Sequence, residues 1–312
     1  MKKITRILLT ILGYLLYTIG VVVFLLWILF PRDSALVWLQ RQLDTMEPSL
    51  AWKIKDLKPE LPLSLKVSDI SLFSRGDMEN KLFHVAEMSF YPDIPGIMKF
   101  ERQVPVRYRM QTLGGTIDGV LHFTGKDSDL QCTGKLKNLQ LEGLEDIWRK
   151  TNRSGSGGLS GDFRFEGPLK ALMQGDMQAS LKVSNGKVSL QQQILGLDQV
   201  EFNTMSTDLE MKGGSINFEN GIVDSRLFSG NYKGIVRMAK SLYASSISLT
   251  GFFEPRPELL GGLKNPAVSS LIKSQLQDGK LSFTISGTIM EPGIQFRGAS
   301  GVIDGVLEGG MK

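Results

Sequence analysis

Asp162-Phe163-Arg164-Phe165-Glu166 alternates charged and aromatic residues with a period of two. Successive side chains of an extended chain point to opposite faces, so the two phenylalanines share one face and the three charges the other. The same alternation returns in Ser64-Leu65-Lys66-Val67-Ser68, Ser215-Ile216-Asn217-Phe218-Glu219, Ser246-Ile247-Ser248-Leu249-Thr250 and Leu281-Ser282-Phe283-Thr284-Ile285. Each reads as a strand with one apolar and one polar face.

Working outward from these segments, glycine, Asn-Gly and Asp-Gly punctuate the chain from Ala51 onward, and roughly fourteen to eighteen strands can be counted. Asn185-Gly186, Asn220-Gly221 and Asp278-Gly279 are the sharpest turn signals. The expected fold is mainly β: a large, curved, mostly antiparallel sheet with short connections and a few short helices. Helices are expected at 144–150 and, capped by Asn265 with Pro266 as first residue, at 267–276.

Ahead of the strands the period is different. Ile7 to Phe30 is a run of twenty-four residues without Asp, Glu, Lys, Arg, His, Asn or Gln. As a helix it is about 36 Å long, enough for a hydrocarbon core of about 30 Å. Lys2, Lys3 and Arg6 precede it, whereas Arg32 is followed at once by Asp33, which predicts a cytosolic amino terminus. A cleaved signal peptide would end in small residues, and Leu25-Leu26-Trp27-Ile28-Leu29-Phe30-Pro31 does not. The expectation is one retained transmembrane helix, with the remainder outside the cytosol.

The expected organisation is a cytosolic terminus and anchor at 1–30, a juxtamembrane amphipathic helix at 31–48, a first sheet unit at 49–150, a Gly/Ser linker at 151–160, a second sheet unit at 161–297 and a Gly-rich tail at 298–312. In the amphipathic helix Leu36, Leu39, Leu43 and Met46 recur three and four apart. That stripe suits either the outer leaflet, with Trp38 at headgroup depth, or packing on the sheet. Gly13, Tyr17 and Gly20 lie on one face of the anchor and suit close approach of another helix or of lipid.

Composition narrows the function. The chain holds 36 Lys+Arg and 32 Asp+Glu, and three of the basic residues precede the anchor; 33 against 32 remain beyond it. A pI near 9.0 is therefore no argument for nucleic acid, and no nucleic-acid partner is expected. Cys132 is the single cysteine, which excludes an internal disulfide; in Leu130-Gln131-Cys132-Thr133 it reads as an inert strand residue. His84 and His122 stand in alternating runs without a second ligand at metal spacing. No catalytic, cofactor-binding or metal residue is expected, and no enzyme; a tethered enzyme would need carboxylates or these histidines gathered in one pocket. Asn152-Arg153-Ser154 matches a glycosylation acceptor only formally in a composition that looks bacterial.

A one-sided sheet must cover its apolar face. It does so by folding over itself, or leaves that face partly open for lipid tails or a partner's strand.

The order of anchor, Phe30-Pro31-Arg32-Asp33, amphipathic helix and glycine-punctuated strands resembles the GspN family, protein N of the bacterial type II (general) secretion pathway. The likeness is clearest in Ser246-Ile247-Ser248-Leu249-Thr250-Gly251 with Pro255, Leu259 and Leu260, and in Leu281 to Ile289 with Pro292 and Ile294. The resemblance implies a single-pass inner-membrane component with a periplasmic domain and no catalytic activity, whose partners are other inner-membrane secretion proteins. Its motifs are structural glycines and prolines, so no functional residues carry over. The same strand-Gly-Pro grammar is similar to AsmA-like envelope proteins, which implies a curved sheet that binds or moves phospholipid.

Overall fold

The computed structural model describes residues 2–46, 50–60, 64–74, 77–93, 105–124, 129–169, 174–194, 197–239, 242–262 and 266–296. The tail expected at 298–312 lies outside them.

Helices α1 (Lys2–Ile28) and α2 (Arg32–Met46) lead into β1 (Leu50–Glu60), β2 (Ser64–Ser74), β3 (Asp77–Pro92), β4 (Val106–Thr112), β5 (Gly115–Thr124) and β6 (Asp129–Gln140). After α3 (Glu145–Lys150) come β7 (Gly155–Pro168), β8 (Asp176–Ile194), β9 (Leu197–Lys212), β10 (Ser215–Asp224), β11 (Phe228–Arg237) and β12 (Ser246–Pro255). Helices α4 (Pro257–Gly262) and α5 (Pro266–Gln275) precede β13 (Leu281–Thr288) and β14 (Pro292–Phe296). The strands form one 14-stranded sheet in sequence order, every neighbouring pair antiparallel. Among the described residues the sheet does not close, and β1 and β14 are its edges.

All five alternating segments lie in strands, and the register carries their apolar sides onto one face. Trp52, Leu72 and Phe83 stand opposite one another, then Phe90 and Tyr108, Leu121 and Cys132, and Phe163 and Ala179. Further along, Ile216 opposes Val236, Leu249 opposes Ile285, and Phe283 opposes Phe296. A one-residue slip in any pair would turn that strand's apolar set outward, so the pattern pins the register.

Two of the three turn signals serve differently from the expectation. Asn185-Gly186 and Asn220-Gly221 sit inside β8 and β10, where the register shifts, with Asn185 at φ 52° and Asn220 at φ 50°. Asparagine tolerates the left-handed region and so supplies a bulge as readily as a hairpin turn. Only Asp278-Gly279 makes a tight turn, between the bridged residues Gln277 and Lys280.

The linker expected at 151–160 is also corrected in part. Residues 155–160 open β7: Gly155, Ser156 and Ser160 pair with β8, and Gly158 and Leu159 pair on both sides, Leu159 with Leu139 of β6 and with Val183 of β8. Their pairing is a backbone property, and glycine lets the Trp148 ring of α3 lie against Gly155 where a β-carbon would overlap it.

Helix α2 packs on the sheet. Leu36, Leu39 and Leu43 sit against the buried cluster of Ile54, Leu57, Val67, Ile70 and Val85, whereas Trp38 is exposed. A fully buried leucine contributes up to about 3 kcal/mol, so three half-buried ones suffice to hold the helix down. At the other end Ile272 of α5, with Leu260 and Leu276 nearby, covers Leu281 and Phe296. The apolar face is thus roofed at both ends by short helices.

Helix α1 carries exposed apolar side chains along its described length, among them Leu9, Tyr14, Tyr17 and Phe24. Counted over the described residues, no helix is long and apolar enough to cross a membrane. Space beside Gly13 and Gly20 is open.

Candidate functional site: the apolar face between two helical roofs

Between the roofs, the apolar face of β4 to β11 consists largely of half-buried side chains, including Leu121, Phe163, Phe165, Leu181, Leu209 and Phe218. Its floor is built by laying aromatic rings over glycines of adjacent strands. Tyr108 of β4 faces Gly119 of β5 in the register, and its hydroxyl would lie 2.6 Å from a β-carbon placed on Gly134 of β6. The Phe163 ring covers Gly134 from the other side, 2.5 Å from that same point. Phe202 over Gly186 and Tyr232 over Gly221 repeat the device, and Phe283 over Gly251 does the same under the second roof. A ring over glycine buries aromatic area flat on the backbone, which thins the floor and keeps it apolar.

Polar atoms in this floor are few and neutral. The Tyr108 hydroxyl lies 3.4 Å from Cys132 Sγ and donates to the Thr133 carbonyl at 3.3 Å. Burial pushes both the phenol and the thiol up, so neither ionises at neutral pH and Cys132 is no ready nucleophile. Burial also raises the Tyr232 phenol, partly offset by the Thr207 hydroxyl.

The opposite face is wet and charged. A hollow of about 810 Å³ on it is lined by Arg107, Lys135 and Arg164 against the carboxylates of Asp118, Asp162, Asp208, Glu210 and Glu219. A second, of about 850 Å³, lies over Asn231, Lys233, Thr250, Phe252, Thr284 and Gln295. Asp118 accepts from Lys137 Nζ at 2.8 Å and Arg109 Nε at 2.7 Å. These two partners, Lys137 first, hold its carboxyl below the ordinary 3.8.

A depressed carboxyl stabilises the fold above its unfolded value and ceases to do so as pH falls through the folded one. Asp118→Asn is therefore expected to cost about 1 kcal/mol or less at pH 7, since both partners are solvent-exposed. The difference from the unsubstituted chain should begin to shrink in urea titrations taken below pH 3.8 and vanish once the pH lies under the depressed folded-state value. A difference that persists there would show that Asp118 acts by packing instead.

The two histidines are not brought together. His84 of β3 has Ser71 Oγ at 3.4 Å and Asp69 Oδ1 at 3.7 Å from its Nδ1, and its side chain is 43% exposed. His122 lies on β5, opposite Gln131. Both point to the polar face, at opposite ends of β4, so about seven residues of strand, roughly 24 Å, separate them. Among the described residues no group of three His, Cys, Asp or Glu could hold a metal.

Sequence reading identified the one-sided sheet but not the aromatic-over-glycine floor. Each such pair joins residues from different strands, for instance Tyr108 and Gly119, and only the register reveals it.

No protein-family model, no curated protein and no solved structure matches this chain.

Proposed function

We propose that the chain is a single-span inner-membrane protein whose periplasmic sheet serves the type II secretion pathway as a non-catalytic assembly component, as the GspN resemblance implies. The observation that carries this reading is the join between helix and sheet. Trp27 Nε1 at the end of α1 donates to the Pro59 carbonyl of β1 at 3.2 Å, and Gln40 Nε2 of α2 donates to the Trp52 carbonyl at 3.2 Å. A sheet fixed at one edge to an apolar helix is a means of holding a surface at a set distance from the membrane. The polar face suits partner contacts, since it is exposed and charged and carboxylates such as Asp118 are engaged by Arg109 and Lys137.

The test is a chromosomal deletion in the bacterium that encodes the chain. Exported enzymes should then accumulate in the periplasm, and crosslinking of the intact protein in membranes should recover inner-membrane secretion components. Undiminished secretion with no such crosslinks would defeat the reading.

A second reading is favoured by the uncovered apolar face of β4 to β11: an AsmA-like protein that binds phospholipid tails there. The full chain purified in a mild detergent should then carry phospholipid detectable by native mass spectrometry. Phe218→Asp, which puts a charge on that face, should lose it. Lipid-free protein would count against this alternative.

A further inference from the structure

The two edges of the sheet are finished in opposite ways. An exposed edge strand presents unpaired N–H and C=O groups that invite another strand, and proteins block such edges with charge, proline or covering side chains. On β1 all three are present. Lys53, Lys55, Asp56, Lys58 and Glu60 make five of its eleven residues charged. The Trp52 N–H donates to Asp44 Oδ1 at 3.4 Å while its carbonyl accepts from Gln40, the Leu57 N–H donates to Asp56 Oδ1 at 2.9 Å, and Pro59 has no N–H to offer. The Pro59 carbonyl is taken by Trp27.

Strand β14, Pro292-Gly293-Ile294-Gln295-Phe296, has no charged residue. Its geometry fixes which groups face outward. The Thr288 N–H donates to the Glu291 carbonyl across the hairpin, and antiparallel ladders alternate bonded and non-bonded pairs. Ser286 with Gly293 and Thr284 with Gln295 are then the bonded pairs. The backbone groups of Pro292, Ile294 and Phe296 face away from β13. Among the described residues no strand or side chain bonds to them, and Ile294 is 37% exposed. At about 4.8 Å per strand, β14 lies some 60 Å along the sheet from the edge that the anchor holds.

We propose that β14 is a strand-accepting edge, built to take an uncharged extended segment of another envelope protein by backbone pairing. This deepens the partner-contact reading above and rests on it. The incoming segment would accept from the Ile294 and Phe296 N–H groups and donate to the Ile294 and Pro292 carbonyls. Its alternate apolar side chains would continue the face that carries Ile294 and Phe296. Pairing of β14 with β1 of a second copy is blocked by the closure of β1, so chains do not add head to tail into a filament.

The test uses the full chain in detergent micelles, in a Cys132→Ala background, with Ile294→Cys on one edge or Lys58→Cys on the other. The probe is a synthetic peptide of alternating threonine and valine with one central cysteine. Disulfide capture at Ile294→Cys should exceed capture at Lys58→Cys at least tenfold, and an excess of cysteine-free peptide should suppress it. Equal capture at both edges, no capture at a maleimide-reactive Ile294→Cys, or a disulfide between two copies through that position would each overturn the proposal. Intact capture in a protein whose deletion leaves secretion unchanged would remove the secretion reading while the accepting edge stands.

Discussion

Gly119→Val is expected to remove about 3 kcal/mol or more of stability, read by urea unfolding of the full chain in detergent micelles. A β-carbon at Gly119 would overlap the Thr133 carbonyl oxygen of β6 and come within 2.6 Å of the Tyr108 ring. The first obstacle is the backbone of a paired strand, which cannot swing aside without breaking the ladder on both its sides. Overpacking a formed core commonly costs 1–3 kcal/mol, and a clash against backbone belongs at or beyond the upper end. Gly213→Ala is the control, because nothing lies within 4 Å of its β-carbon and only its φ of +55° opposes the change. That strain is worth about 1–2 kcal/mol. Equal losses at the two positions would contradict the role assigned to the aromatic-over-glycine floor.

The second large effect concerns α1. Deleting residues 1–30 is expected to convert a protein that stays with membranes through an alkaline carbonate wash into one recovered in the supernatant. The anchor reading rests on the twenty-four-residue apolar run and on the exposed apolar side chains of α1, which no described element covers. Leaving that surface in water costs about 25 cal/mol for each Å². The deletion also removes Phe30, which packs on the first core cluster, and the Trp27 bond to β1, so a modest loss of stability should accompany release. A deletion that remains membrane-bound would show that α2 or the apolar face itself holds the bilayer.

The strands were legible because burial on one face writes a period of two into the chain, and Phe163 with Phe165 or Ile247 with Leu249 fall where that period requires. What could not be read has physical reasons. Asn185-Gly186 and Asn220-Gly221 adopt the same left-handed backbone in a bulge as in a turn, so the dipeptide alone does not distinguish them. Residues 155–158 contain no apolar side chain, and the ladder that holds them is made by backbone groups every residue possesses. Leu36, Leu39 and Leu43 would show the same spacing against a bilayer as against Ile54 and Val67. The edge chemistry was invisible for a further reason: Gln40, Asp44 and Trp27 act on β1 across tertiary contacts, and only the fold places them beside Trp52 and Pro59.

We propose above all a one-sided sheet held outside the cytosol by its own first helix. Single cysteines at Lys233, on the exposed polar side of β11, and at Lys3 ahead of the apolar run, each in a Cys132→Ala background, test this directly with a membrane-impermeant maleimide on intact spheroplasts. Rapid labelling of Lys233→Cys is expected, and labelling of Lys3→Cys only after lysis. Labelling of Lys3→Cys in intact spheroplasts, or protection of Lys233→Cys until lysis, would contradict it.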